Sequence, residues 1–201
     1  KEEQIRTAAE RLFTTRYLLG IMDGCEFDSI PYEKVECAEH IEKAHEAALK
    51  SCVLLKNDGI LPLASNASVA VIGDFAETPR YQGADSSQVN PTKLADLLSC
   101  AKAAGLNVTG FAKGFSRTDP HPQDDLIAEA VKLAEANEIV LLCVGLDEIA
   151  ESEGLDRLTM NLSAGQNALI DAVAKVNKNV IVVLAGGSPV EMPWNDSVAA
   201  V

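Results

Sequence analysis

The sequence predicts an α/β fold, a three-layer αβα sandwich around a mainly parallel sheet. Four apolar runs carry that prediction: Val69 to Ile72, Leu106 to Ala112, Ile139 to Val144 and Val180 to Ala185. They read as strands covered on both faces, because a strand with one wet face would alternate apolar and polar residues. Between each consecutive pair lies a stretch with helical spacing, long enough for the crossover that parallel neighbours require.

Taken from the first residue, residues 1–20 form an amphipathic helix: Ile5, Leu12, Phe13 and Tyr17 share a stripe at three-and-four spacing, and Gly20 closes it. Residues 21–35 mix Gly24, Ser29 and Pro31 without a period, which is the composition of a linker. A second helix is expected from Glu36 to Leu55, with Ala44, Ala47, Ala48 and Ser51 on a small-residue face, stopping at the turn Lys56-Asn57-Asp58-Gly59. Helices are then expected over Thr92 to Ala104, Asp124 to Ala136 and Ser163 to Val176, the last two begun by acidic residues and by a serine cap.

Composition excludes several functions. The chain has 201 residues and a formal net charge of -13, the wrong sign for nucleic acid, whose phosphates need clustered Lys and Arg. No apolar run approaches the ~18 to 20 residues of a membrane span. The acidic start Lys1-Glu2-Glu3-Gln4 does not open a signal peptide. Five cysteines, Cys25, Cys37, Cys52, Cys100 and Cys143, show no close pairing, and Cys52 and Cys143 sit among apolar residues as small hydrophobes. That usage favours a reducing compartment and a cytoplasmic location. His40, His45 and His121 make no ligand spacing with the cysteines, so no metal site is expected.

In open α/β sheets ligands bind outside the carboxyl ends of the strands. Four loops leave those ends: Gly73 to Asn90, Lys113 to Gln123, Gly145 to Leu162 and Gly186 to Trp194. The third holds Glu148-Ile149-Ala150-Glu151-Ser152-Glu153-Gly154-Leu155-Asp156-Arg157, where a carboxylate can serve as a general acid/base. The first holds Arg80-Tyr81-Gln82-Gly83-Ala84-Asp85-Ser86-Ser87, rich in the hydroxyl and amide groups that bind sugars. Each stretch would also suit an ordinary solvated loop. A phosphate-binding site is disfavoured, because Val71-Ile72-Gly73-Asp74 lacks the further glycines of a dinucleotide loop and no Walker lysine occurs. No cofactor is implied.

The succession Leu54-Leu55-Lys56-Asn57, Val69 to Gly73, Arg80-Tyr81-Gln82-Gly83, Glu151 to Arg157 and Gly187 to Trp194 resembles glycoside hydrolase family 3, with β-glucosidase-like members nearest. The resemblance implies a sandwich domain over residues 36–201, broken off after its fourth strand. Residues 1–20 would be the last helix of a (β/α)8 barrel that holds an aspartate nucleophile, and residues 21–35 the linker. It also implies that the sandwich lends its acid/base loop to the barrel of the same parent chain, in a retaining exo-β-glycosidase acting on β-linked glucosides or related oligosaccharides. By the family pattern, in which the glutamate precedes a glycine, the acid/base is Glu153, with Glu151 as the alternative. Arg80, Gln82, Ser86, Ser87 and Arg157 would lie near the sugar, with Asp156 and Arg157 also pairing with each other or with the loop backbone. Without the barrel the 201 residues are expected to be inert. A carbohydrate-binding or docking module without chemistry is the competing reading.

Overall fold

A computed structural model describes residues 1–201 except 23, 25–28, 85 and 87. The chain divides into two compact units, Lys1–Val53 and Leu54–Val201. The first contains α1 (Glu2–Leu18) and α2 (Ala38–Ser51), with a short 3-10 turn, Tyr32–Lys34, inside the segment read as linker. α1 closes as a Schellman turn: the Gly20 amide donates to the Tyr17 carbonyl at 2.9 Å and the Ile21 amide to the Arg16 carbonyl at 3.1 Å.

The second unit contains β1 (Ser68–Ile72), α3 (Leu97–Ala103), β2 (Asn107–Ala112), α4 (Asp124–Glu135), β3 (Ile139–Gly145), α5 (Ala164–Val176) and β4 (Val180–Ala185). The four strands form one sheet in the order β2-β1-β3-β4, and every pairing is parallel. The connection from β1 to β2 runs one way across the sheet and those from β2 to β3 and β3 to β4 run the other. Right-handed crossovers therefore put α3 on one face and α4 with α5 on the opposite face, which makes the three layers.

Val69 to Ile72 of β1 and Val140, Leu142 and Val144 of β3 have no exposed surface. These strands are central and covered on both sides, so each large side chain contributes about 1.5–3 kcal/mol of burial. β2 sits at the edge and is half-buried, which corrects its reading as a strand covered on both faces: Asn107 and Thr109 alternate with Val108 and Gly110 and are exposed. β4 begins to acquire a neighbour of its own: the Ala199 amide donates to the Val180 carbonyl at 2.8 Å and the Val182 amide to the Ala200 carbonyl at 2.9 Å.

Two helices are shorter than the sequence suggests. α2 stops at Ser51, because the chain beyond it is drawn into extended pairing: the Leu55 amide donates to the Val201 carbonyl at 2.9 Å and the Asp58 amide to the Ala199 carbonyl at 2.8 Å. Lys56 adds to this seam, its Nζ donating to the carbonyls of Asn195 at 2.8 Å and Val198 at 2.7 Å. α3 starts at Leu97 instead of Thr92, because Asp96 takes the capping position and its carboxylate accepts from the Ser99 amide at 2.7 Å. Ser163 caps α5 as expected, accepting from the Gln166 amide at 3.2 Å.

The cysteines divide. Cys143 is 2 % exposed in β3, and burial pushes its thiol up to about 12. Cys52 is exposed at the end of α2, which corrects its reading as a core hydrophobe. Cys25 lies outside the described residues.

Candidate active site loops

The sheet's order reverses between β1 and β3, and the loops leaving their carboxyl ends are where the polar side chains converge. At Gly73 the chain leaves β1 with φ of +111°, and a Cβ there would stand 1.9 Å from the Cys143 carbonyl oxygen. Only glycine lets the two strand ends approach so closely. A 3-10 turn, Asp74–Ala76, follows and buries the Asp74 carboxylate at the head of the sheet.

Arg117, from the loop after β2, meets that carboxylate. Its Nε lies 3.2 Å from Asp74 Oδ2, while Lys113 Nζ lies 3.4 Å from Oδ1. The same guanidinium donates through Nη1 to Glu148 Oε1 at 3.0 Å and through Nη2 to the Thr78 carbonyl. It also stacks 4.1 Å above the Phe75 ring, which packs edge-on against Phe115. One arginine, 15 % exposed, thus joins the loops that follow β1, β2 and β3.

Beyond Glu148 the third loop is turned, not extended. Asp147 Oδ1 accepts from the amides of Ile149 at 3.0 Å and Ala150 at 2.7 Å, and the Glu151 amide closes onto the Asp147 carbonyl at 3.3 Å. Glu151 then points into its neighbours. Its carboxylate accepts from Arg80 Nη1, from the Gly187 amide at 3.0 Å and from Ser188 Oγ at 2.5 Å. Both members of the Glu151–Arg80 ion pair are 12 % exposed. Partial burial would raise the Glu151 carboxyl, but the Ser188 hydroxyl, the Gly187 amide and the Arg80 guanidinium outweigh it and hold the group below the ordinary carboxylate value.

Ser152 continues the attachment, its Oγ donating to the Ala84 carbonyl at 2.9 Å. Glu153 comes next and is exposed. Gly154, at φ of +80°, turns the chain back, and the Leu155 amide donates to the Ser152 carbonyl at 3.3 Å. Arg157 reaches the fourth loop, with Nη2 donating to the Pro189 carbonyl at 2.6 Å. The far end of the loop is held by the Glu191 amide donating to the Met160 carbonyl at 2.9 Å. Gln166, at the start of α5, accepts from the Gly145 amide at 2.8 Å and donates to its carbonyl at 2.9 Å.

Of the residues the sequence nominated for sugar contact, Gln82 closes its own loop. It accepts from the Val89 amide at 2.9 Å and donates to the Val89 carbonyl at 3.2 Å. Ser86 is exposed, and Ser87 lies outside the described residues. Sequence reasoning gave no site role to Asp74, Arg117, Gly187 or Ser188. A single arginine in a loop has no periodicity to announce it, and Arg117 finds its partner Glu148 31 residues away. Among the described residues no group of three or more His, Cys, Asp or Glu could hold a metal ion, and no helix is long and apolar enough to cross a membrane.

Comparison with known proteins places this arrangement. The thermostable β-glucosidase B of Acetivibrio thermocellus is 43% identical over 166 residues, covering 81% of this chain and 22% of its own length. The exo-α-(1→6)-L-arabinopyranosidase of Bifidobacterium longum is 43% identical over 178 residues, covering 83% of this chain and 23% of its own. The crystal structure of a glycoside hydrolase family 3 β-glucosidase from Bifidobacterium adolescentis superposes with a TM-score of 0.76 at 46% identity, over 88% of this chain and 25% of that one. The chain thus spans about a quarter of the length of these relatives. The family model of the glycosyl hydrolase family 3 C-terminal domain matches residues 52–201, and the chain belongs to that family.

Proposed function

We propose that this chain supplies the acid/base loop of a retaining exo-β-glycosidase, a β-glucosidase in the first instance, and that Glu153 is the acid/base. The aspartate nucleophile and most of the sugar-gripping residues belong to a (β/α)8 barrel in the same parent chain. α1 is its last helix, and the residues after it link it to the sandwich. Retaining hydrolysis uses two carboxyl groups about 5–5.5 Å apart, one attacking the anomeric carbon and one protonating the departing oxygen. In the second half-reaction the group that gave the proton, now a carboxylate, takes one from the incoming water.

The observation that carries the choice of Glu153 is the engagement of its neighbour. Glu151 is bound by three donors from two neighbouring loops, which hold its carboxyl below the ordinary value and commit it to joining those loops. Glu153, two residues on, stands at the exposed turn of the same loop. Ser86 and Ser87 remain the hydroxyl groups offered to the sugar, whereas Arg80, Gln82 and Arg157 serve the loops. The relatives' names put β-glucosides first as substrates and a pentopyranoside second.

The test is hydrolysis of aryl β-glucosides by the full-length parent enzyme, by residues 1–201 alone and by full-length Glu153→Gly with and without azide. The expected result is an active parent, no turnover by residues 1–201, and a variant whose turnover azide restores with a β-glycosyl azide as product. Near-normal hydrolysis of alkyl glucosides by Glu153→Gly would overturn the assignment. Silence of both Glu153→Gly and Glu151→Gly would favour the non-catalytic carbohydrate-binding module.

A further inference from the structure

We propose that Glu151 and Arg80 are positioning residues: an ion pair that sets where the acid/base carboxyl at Glu153 stands relative to the departing oxygen. This rests on the assignment of Glu153 and deepens it. The Glu151 carboxylate collects donors from two other strand ends, Arg80 from the loop after β1, and Gly187 with Ser188 from the loop after β4. One residue further, the Ser152 hydroxyl fastens the backbone to Ala84, again in the loop after β1. Residues 151 and 152 are thereby fixed from two sides, and Glu153 follows them directly in the chain.

The pair is placed where it is most effective. With both members 12 % exposed, it is shielded from the solvent that weakens a surface ion pair. It accepts no proton and need touch no substrate; its action is on the backbone that carries Glu153. In the step it serves, the Glu153 carboxyl hands its proton to the glycosidic oxygen as that oxygen leaves with the electron pair of the bond to the anomeric carbon. Proton transfer needs donor and acceptor within about 2.6–3.2 Å, and a 1 Å misplacement costs on the order of 10²-fold.

Loss of the pair must therefore discriminate between leaving groups. An alkyl alkoxide cannot depart without the proton, whereas 2,4-dinitrophenolate can. The experiment measures kcat/KM, which reports the glycosylation step alone, for full-length Glu151→Ala, Glu151→Gln and Arg80→Lys on an alkyl and on a 2,4-dinitrophenyl β-glucoside. Glu151→Ala is expected to lose on the order of 10²-fold on the alkyl substrate and far less on the dinitrophenyl one. Glu151→Gln still accepts from Gly187 and Ser188, and Arg80→Lys keeps the charge, so both should recover part of the loss. Should Glu151→Ala fail to fold, Ser188→Ala, which removes one donor, is expected to show the same selectivity on a smaller scale.

Azide separates the two assignments. If azide rescues Glu153→Gly but not Glu151→Ala, and the alkyl-selective loss is seen, the positioning role stands. If azide rescues Glu153→Gly while the Glu151 and Arg80 variants lose equally on both substrates, or lose nothing, the positioning role is overturned and Glu153 keeps its own. If azide rescues Glu151→Ala instead, Glu151 is itself the acid/base and both assignments fall.

Discussion

Two arginines bind the loop after β1 to the loop after β3, and they do it differently. Arg117 works at the head of the sheet: it touches buried Asp74, lies over Phe75 and reaches Glu148 close to the point where β3 ends. Arg80 works farther out, on Glu151, in company with Gly187 and Ser188 from the fourth loop. The first is continuous with the hydrophobic core, since Phe75 and Phe115 belong to it. The second is built wholly from loops. An ion pair set into the core contributes to the stability of the domain, and one set between loops contributes to the placement of what the loops carry.

That contrast can be broken by experiment. Arg117→Ala should produce the largest stability loss, about 3 kcal/mol, because it leaves a buried carboxylate with Lys113 alone; urea unfolding of the full-length protein measures it. Arg80→Ala should cost less, about 1.5 kcal/mol, since Glu151 keeps an amide and a hydroxyl donor. If the two losses prove equal, the division into a core site and a loop site fails.

A pH series sharpens the outer site. The folded protein holds the Glu151 carboxyl below its ordinary value, so its contribution is complete above about pH 4.3, the unfolded value. It is lost as pH falls through the folded value. Glu151→Gln should lower stability at neutral pH and flatten the acid side of the stability curve, read by urea unfolding across the series. The smallest expected effect is on stability at Glu153: Glu153→Gln, at an exposed turn, should shift the melting temperature least of these variants while abolishing turnover of alkyl glucosides.

The fold was legible in the sequence because its signals are local. Val69 to Ile72 and Ile139 to Val144 announce buried parallel strands by composition alone, and Ser163 announces a helix start by type. The limits of α2 and α3 were not legible to the residue. The end of α2 is decided by pairing between Leu55 and Val201, two positions far apart in sequence. The start of α3 is decided by which of several polar residues takes the cap. The same distinction runs through the site. The acidic run around Glu151 and Glu153 stood out from its neighbours, and the family pattern put Glu153 ahead of Glu151, but what Glu151 does instead was not legible. Its donors come from Arg80, Gly187 and Ser188, each at least 36 residues from Glu151.

The double hydrogen bond between Gln166 and the backbone of Gly145 has a further consequence. A glutamine amide presents the same donor and acceptor as a peptide group, so α5 is stitched to the last residue of β3 as if by one more rung of the sheet. The 20 residues between them are then a ring closed at its base. Doubling the length of such a ring costs only about 0.6 kcal/mol in closure entropy. The outer arc from Gly154 to Met160 can therefore be rewritten while the sheet beneath keeps its register.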